Sequence, residues 1–118
     1  MSTRSVGQLA EQRAAKFLED QFGYRILQRN YSCRLGEVDL VAEEAGVLVF
    51  IEVRSRTTSR YGEAIETISS AKRRKIALTA RHFLVTRGLE NKACRFDVVT
   101  IQDGGEPSLL RDAFSIDE

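Results

Sequence analysis

The sequence predicts a single α/β domain with the element order αβββαβ, in which helices flank a mixed central sheet. Apolar residues recur at helical spacing in two segments, one near the start of the chain and one after residue 70. Three extended segments lie between these two helices, and a fourth follows the second helix. The length of 118 residues and the hydrophobic fraction of 42% are those of one ordinary globular domain.

The first helix is predicted to span residues 6–22. Ala14 and Leu18 belong to its apolar stripe, and Gly23 supplies a natural C-terminal stop. Residues 24–30 follow and have the polar character of a strand at the edge of a sheet.

A β-hairpin is predicted from the next two extended segments, residues 37–43 and 47–53. The second segment reads VLVFIEV and is rich in β-branched and aromatic residues, which favour strands. Only residues 44–46 separate the two segments, so we expect the strands to pair in antiparallel fashion.

The second helix is predicted to span residues 70–87, after a polar segment at 55–63 that is typical of a loop. Gly88 ends this helix, and a last strand covers residues 95–101. The apolar stripe of the helix consists of Ile76, Ala80, Phe83 and Leu84.

These elements define a domain over residues 1–103, and residues 104–118 form a C-terminal tail. The composition of the tail offers little to hold it in place, although Leu109, Leu110 and Phe114 provide apolar surface for docking. The tail is therefore left out of the predicted αβββαβ core.

Composition also bears on the compartment. No apolar run is long enough to cross a bilayer, and the N-terminal residues are polar, which predicts a cytoplasmic protein without membrane partners. Cys33 and Cys94 do not form a cluster of metal ligands, and we expect two buried, reduced thiols.

Charge is distributed unevenly along the chain, although the net charge is only +1. Residues 54–87 contain nine basic and two acidic side chains and carry a net charge of +7, so the remainder carries −6. Such asymmetry places a positive surface beside an acidic pocket, an arrangement suited to nucleic acid. A solvated helix face is the alternative for residues 72–75 taken alone.

Most familiar catalytic groups are missing from the sequence. His82 is the only histidine, and a lone histidine on a helix usually has a surface or packing role, which argues against a Ser-His-Asp triad, a Cys-His pair and a histidine zinc site. No glycine-rich phosphate-binding loop is found either. The remaining option is carboxylate chemistry.

Two acids, Asp39 and Glu52, lie inside apolar strands, where an uncompensated charge is costly. Strict alternation puts Glu37, Asp39 and Val41 on one face of their strand, and Glu52 shares a face with Arg54 on the next. Two acids on adjacent strands can hold a hard divalent ion such as Mg²⁺ or Mn²⁺.

Arg54 would stand beside this ion and meet a phosphate group, an arrangement suited to phosphodiester hydrolysis. Glu11 on the first helix is a further candidate metal ligand. The alternative is a buried ion pair, Asp39–Arg54 or Glu52–Arg54, that has only a structural role.

The segments GEVDLVA (36–42) and VFIEVRSR (49–56) resemble the YraN family of predicted endonucleases. That family is similar to archaeal Holliday junction resolvases within the PD-(D/E)xK nuclease superfamily, which has a restriction-endonuclease-like fold. The resemblance implies that Asp39 and Glu52 are the two motif acids and that Arg54 stands in place of the motif lysine. It also implies that Glu11 is the acid of the first helix, with magnesium as cofactor, branched DNA as substrate and a homodimer as the assembly.

The departure at Arg54 leaves three functions open. An arginine keeps the positive charge of the motif lysine but cannot accept a proton. The chain is then an active nuclease, a nucleic-acid-binding module with little or no turnover, or a scaffold whose acids form structural ion pairs. In the first two cases the expected nucleic-acid contacts are Arg56, Arg60, Lys72, Arg73 and Lys75.

Overall fold

The computed structural model describes residues 3–56 and 68–115. Seven elements follow one another: helix α1 (Thr3–Phe22), strands β1 (Arg25–Cys33), β2 (Gly36–Glu44) and β3 (Val47–Arg56), helix α2 (Ser70–Thr86), and strands β4 (Cys94–Gln102) and β5 (Ser108–Phe114). The first six have the predicted order, and the fold class is confirmed as an α/β mixed sheet compatible with a restriction-endonuclease-like core.

The five strands form one sheet in the order β1-β2-β3-β4-β5. Strands β3 and β4 are parallel, and the other neighbouring pairs are antiparallel. Helix α2 lies between the two parallel strands in sequence, as a parallel connection requires. Strand β1 lies at an edge of the sheet, as its polar sequence predicted.

Strand β5 extends the sheet beyond the predicted core. Residues 108–114, which sequence analysis assigned to a tail, pair in antiparallel fashion with β4. Phe114 is buried and stacks on Phe96, with ring centroids 4.9 Å apart. The strand escaped prediction because most of its other side chains are exposed, so it lacks a clear apolar alternation.

Each face of the sheet is covered by one helix. Helix α2 packs through Ile76, Ala77, Ala80, Phe83 and Leu84 onto a cluster that includes Val38, Val41, Leu48, Phe50, Phe96 and Val98. Helix α1 packs through Ala14, Ala15 and Leu18 onto a second cluster that includes Leu40, Ala42, Val49, Ile51 and Val99. Neither described helix is long and apolar enough to span a membrane.

Two turns fix how β2 meets its neighbours. Ala45 and Gly46 both have positive φ, 52° and 81°, as a two-residue hairpin turn of type I′ requires between β2 and β3. At the start of β2, Gly36 lies against α2, and a Cβ atom at this position would come within 2.8 Å of the Thr79 Oγ1 atom. A glycine therefore lets the β1–β2 turn approach α2 closely.

Cys33 and Cys94 are free thiols, and both are half-buried. The prediction of two reduced cysteines is confirmed, while their predicted full burial is not.

Candidate active site

The candidate site lies where β2 and β3 part. The backbone pairing of these strands ends at Leu40 and Ile51, and the next residues in register are Asp39 and Glu52. In place of a further backbone pair, the Val53 N–H donates a 2.8 Å hydrogen bond to the carboxylate of Asp39. The two carboxyl groups thus stand at the opening between the strands.

The alternation of side chains along β2 slips at Asp39. Val38 and Val41 both pack in the α2-side cluster, whereas Leu40 and Ala42 pack in the α1-side cluster. The prediction of strict alternation through residues 37–41 is therefore wrong. The slip coincides with the end of the β2–β3 pairing and lies opposite Asn30 of β1, whose positive φ interrupts the regular strand geometry.

Glu52 is 5% exposed and has two cationic neighbours. The Lys72 Nζ atom lies 3.0 Å from a Glu52 oxygen, and the Arg54 Nη1 atom lies 3.8 Å from the same oxygen. Lys72 reaches the site because Ser69 caps α2 and sets the first turn of this helix beside β3. Among the residues that the structure describes, the cation nearest to Glu52 therefore comes from α2, and Arg54 of β3 is farther away.

The pKa of Glu52 is raised from 4.5 to about 7. Burial is the main cause, the negative charge of Asp39 adds to it, and Lys72 opposes it. Burial also raises the pKa of Asp39, although the Val53 N–H opposes the shift. The nearby cations therefore do not fully compensate the two acids.

Glu11 approaches the same acids from α1, as predicted. Its carboxyl group contacts the side chains of Asn30 and Asp39, and burial raises its pKa. Asn30 lies across the β1–β2 ladder from Asp39 and has a φ of 54°, a left-handed conformation that asparagine tolerates well. Glu11, Asp39 and Glu52 are called the carboxylate cluster below.

A cavity of about 350 Å³ opens beside the carboxylate cluster, between the sheet and the start of α2. Asp39, Glu52, Lys72 and Lys75 contribute the charged lining, together with Glu37. Two positive and three negative side chains therefore share one opening, where an anionic ligand would reach Lys72 and Lys75.

The structure brings only some of the predicted nucleic-acid contacts to this opening. Lys72 and Lys75 line it. Arg73 instead donates through Nε to the Ile68 carbonyl oxygen, and its guanidinium carbon lies 6.0 Å from the ring centroid of Phe114. Arg56 is half-buried at the end of β3, and Arg60 lies outside the described residues.

Sequence reasoning placed Lys72 on a nucleic-acid surface and missed its contact with Glu52. Asn30 had no role in the predicted site. No sequence signal identifies either contact, because each joins segments from different elements.

The side chains of the site fit the predicted divalent ion only in part. Within residues 3–56 and 68–115, no group of three or more His, Cys, Asp or Glu side chains is arranged to hold a metal ion. Glu11, Asp39 and Glu52 therefore do not form a ready three-ligand site. Two carboxyl groups in contact do fit Mg²⁺, because this ion is commonly bound through one or two carboxylates and keeps several waters.

Comparison with known proteins places the chain among close relatives. Residues 10–101 match the model of the family described as "Uncharacterised protein family UPF0102". A UPF0102 protein of Nitrosococcus oceani is 48% identical over 97% of this chain and 94% of its own length. Similar proteins of Symbiobacterium thermophilum and Ralstonia pickettii are 46% and 41% identical, over 91% and 98% of this chain and 90% and 94% of their own lengths.

Proposed function

This chain belongs to the uncharacterised family UPF0102, the YraN family, and we propose that it is a metal-dependent nuclease that cleaves branched or structured DNA. The observation that carries the proposal is the contact of two incompletely compensated carboxyl groups, the half-buried Asp39 and the buried Glu52, at the mouth of a cavity. Acidic side chains with shifted pKa values in a cleft are typical of catalytic sites, whereas acidic side chains with a structural role usually accept hydrogen bonds from several donors.

Asp39 and Glu52 are the residues that would hold Mg²⁺ or Mn²⁺, with Glu11 or Glu37 as a further contact. A bound divalent ion would supply Lewis acidity towards a phosphate oxygen and lower the pKa of water. The negative charge of Asp39, which raises the pKa of Glu52, is the feature that a cation would relieve.

Lys72 and Arg54 supply the positive charge beside the acids. Arg54 contributes charge alone, because a guanidinium does not lose its proton in proteins. Lys72 carries an ammonium group on Nζ, 3.0 Å from Glu52, which can both stabilise charge on a phosphate and exchange a proton. Lys72 thus supplies an ammonium group near the motif acids in a chain whose motif position carries arginine.

The test is single-turnover cleavage of a labelled four-way DNA junction in Mg²⁺ and in Mn²⁺. We expect cleavage by the wild type and none above background by Asp39→Asn. Arg54→Ala should lose activity by about a hundredfold, as for loss of one electrostatic donor, whereas Arg54→Lys should retain it. Lys72→Met should lose at least as much as Arg54→Ala. Equal cleavage by the wild type and Asp39→Asn would contradict the proposal.

Metal binding provides a direct test that needs no turnover. Titration calorimetry with Mn²⁺ should detect binding to the wild type and not to Asp39→Ala. Equal binding by the two proteins would remove the metal site from the proposal.

A second candidate function is a nucleic-acid-binding module with little or no turnover, and the arginine at position 54 favours it. The same cleavage assay separates the two functions. A wild type that is inactive in both metals, together with an active Arg54→Lys variant, would identify the natural protein as a binding module.

The proposal includes a homodimer in the cytoplasm that prefers branched DNA to linear duplex. Sedimentation of the purified protein measures the assembly directly. A four-way junction should outcompete a linear duplex of equal length, and equal competition would indicate a general binder.

A further inference from the structure

The carboxylate cluster is open on two sides, and the side away from α2 leads into a groove between α1 and β1. The cavity beside α2 and a second cavity of about 450 Å³ share Glu37 as a lining residue. The second cavity is lined by Gly7, Gln8, Glu11, Asn30, Ser32 and Glu37. The acids therefore stand between two depressions, only one of which carries lysine.

The second cavity continues along α1 and β1. A depression of about 270 Å³ shares Gln8, Glu11 and Asn30 with it. A further depression of about 460 Å³ shares Gln12 and Arg29 with the previous one. Because each depression shares lining residues with the next, the three lie side by side between α1 and β1, and together they are called the α1–β1 groove below.

The lining changes along the α1–β1 groove. Beyond the acids, the exposed amides of Gln8, Gln12 and Asn30 provide neutral groups that both donate and accept hydrogen bonds. Arg29 follows, exposed on β1 and without an ion pair to any other described residue. Amides are suited to the edges of unpaired bases and to sugars, and an unpaired guanidinium is suited to a phosphate.

The size of the depressions bears on the ligand. At about 270 to 460 Å³, each one matches a group on the scale of a single nucleotide. We propose that the α1–β1 groove binds an unpaired nucleic-acid strand that adjoins the phosphate to be cut. Gln8 and Gln12 contact the nucleotides, and Arg29 contacts a backbone phosphate. The position of the cut rests on the proposed nuclease function, and the groove adds a duplex with a single-stranded arm to the structured DNA substrates of that function.

Strand β1 offers a matched control for Arg29. Arg25 lies on the same strand and is also exposed, but it pairs with Glu43 and does not line the groove. Arg29→Glu and Arg25→Glu therefore change the net charge equally and differ in their relation to the groove. A Gln8→Ala, Gln12→Ala double variant tests the amides without any change of charge.

The experiment measures fluorescence anisotropy in Ca²⁺ with a blunt DNA duplex and with the same duplex carrying a short single-stranded tail. The quantity compared is the ratio of the two affinities, since a general electrostatic effect cancels in it. We expect the tail to tighten binding by about tenfold for the wild type and Arg25→Glu, the scale of one good base contact. Arg29→Glu and the amide double variant should lose most of this gain.

The proposal is overturned if the tail brings no gain, if Arg25→Glu loses the gain as fully as Arg29→Glu, or if no DNA binds at all. Cleavage is scored separately in Mg²⁺ and Mn²⁺. If the tail tightens binding but no DNA is cleaved, strand binding by the groove is supported and the nuclease function is contradicted. If DNA is cleaved but the tail does not tighten binding, the nuclease function is supported and strand binding by the groove is contradicted.

Discussion

Asp97 and Glu52 are the two buried acidic residues in the part of the chain that the structure describes, and their surroundings differ sharply. They lie on the adjacent parallel strands β4 and β3, where Glu52 is in register with Val98, the residue next to Asp97. Asp97 is 0% exposed and Glu52 is 5% exposed. The two acids are therefore almost equally buried, and the difference between them lies in the groups that surround each carboxylate.

Asp97 is saturated with hydrogen-bond donors. The Tyr24 hydroxyl donates to one carboxylate oxygen at 2.6 Å, and Arg95 Nε and the Asp112 N–H donate to the other at 3.0 and 2.9 Å. Arg95 in turn donates to Glu44 at 2.8 Å. This network joins the end of α1, the β2–β3 hairpin and β5, so it serves as a structural anchor.

Glu52 has fewer partners and an acidic neighbour. Lys72 contacts it at 3.0 Å, Arg54 at 3.8 Å, and the charge of Asp39 raises its pKa. A buried acid with satisfied partners stabilises its surroundings, whereas one left partly uncompensated is ready to bind a cation. The comparison thus separates a structural acid from a candidate functional one within a single sheet.

The largest effect in this comparison is expected for Asp97→Ala. Removing one partner of a buried network leaves Arg95 and the other donors without their acceptor, which typically costs about 3–5 kcal/mol. Urea denaturation monitored by circular dichroism measures the loss. The exposed Asp20, which forms an ion pair with the exposed Lys16, is the control, and Asp20→Ala should cost less than about 1 kcal/mol. Similar losses for the two variants would mean that Asp97 is not an anchor.

In metal-free protein, Glu52→Gln is expected to raise the stability of the folded state at high pH, whereas Asp97→Ala lowers it. A folded-state pKa of about 7, against 4.5 unfolded, means that the native state holds the proton more tightly between these pH values. The wild type therefore loses stability as the pH rises through this window, by on the order of 3 kcal/mol. The Glu52→Gln variant avoids this loss, because an amide side chain stays neutral on both sides of the window.

Thermal melts in EDTA at pH 4.5 and pH 8 check this prediction. The stability of Glu52→Gln relative to the wild type should rise between the two pH values. Among the described residues, the charged groups around residue 52 are Asp39, Lys72, Arg54 and Glu11, and the raised pKa values of Asp39 and Glu11 act with the same sign. The half-buried Glu43, whose pKa is lowered by Arg25 and Lys92, is the control, since Glu43→Gln should show no such gain. An unchanged difference between pH 4.5 and pH 8 would show that Glu52 is compensated like Asp97.

The smallest effect is expected from Lys75, which lines the cavity beside Glu52 but contacts no acid among the described residues within ion-pair distance. If Lys75 meets one phosphate, Lys75→Ala should flatten the slope of log affinity against log salt by about 0.9 on duplex DNA. Lys92 does not line this cavity, and its Nζ atom lies 3.0 Å from a carboxylate oxygen of Glu43. The Lys92→Ala variant is therefore the control. An unchanged slope for Lys75→Ala would make the lysine part of a solvated helix face.

Much of the fold could be predicted because its signals are local. The apolar periodicity of α1 and α2 and the β-branched run of β3 were sufficient to identify those elements and their order. Strand β5 could not be predicted in this way, because its place depends on pairing with β4 and on Asp97, both distant in sequence. Arg60, one of the predicted contacts, lies outside the described residues and stays a prediction.

The sequence by itself determined that Asp39 and Glu52 lie in adjacent strands of an apolar hairpin, since strand patterns and a short turn are local properties. Only the tertiary structure decided which groups surround them. Lys72 contacts Glu52 because α2 packs with its first turn beside β3, and Glu11 contacts Asn30 and Asp39 because α1 covers the opposite face. Local periodicity states which way a side chain faces, but the distance between elements follows from how their apolar faces pack.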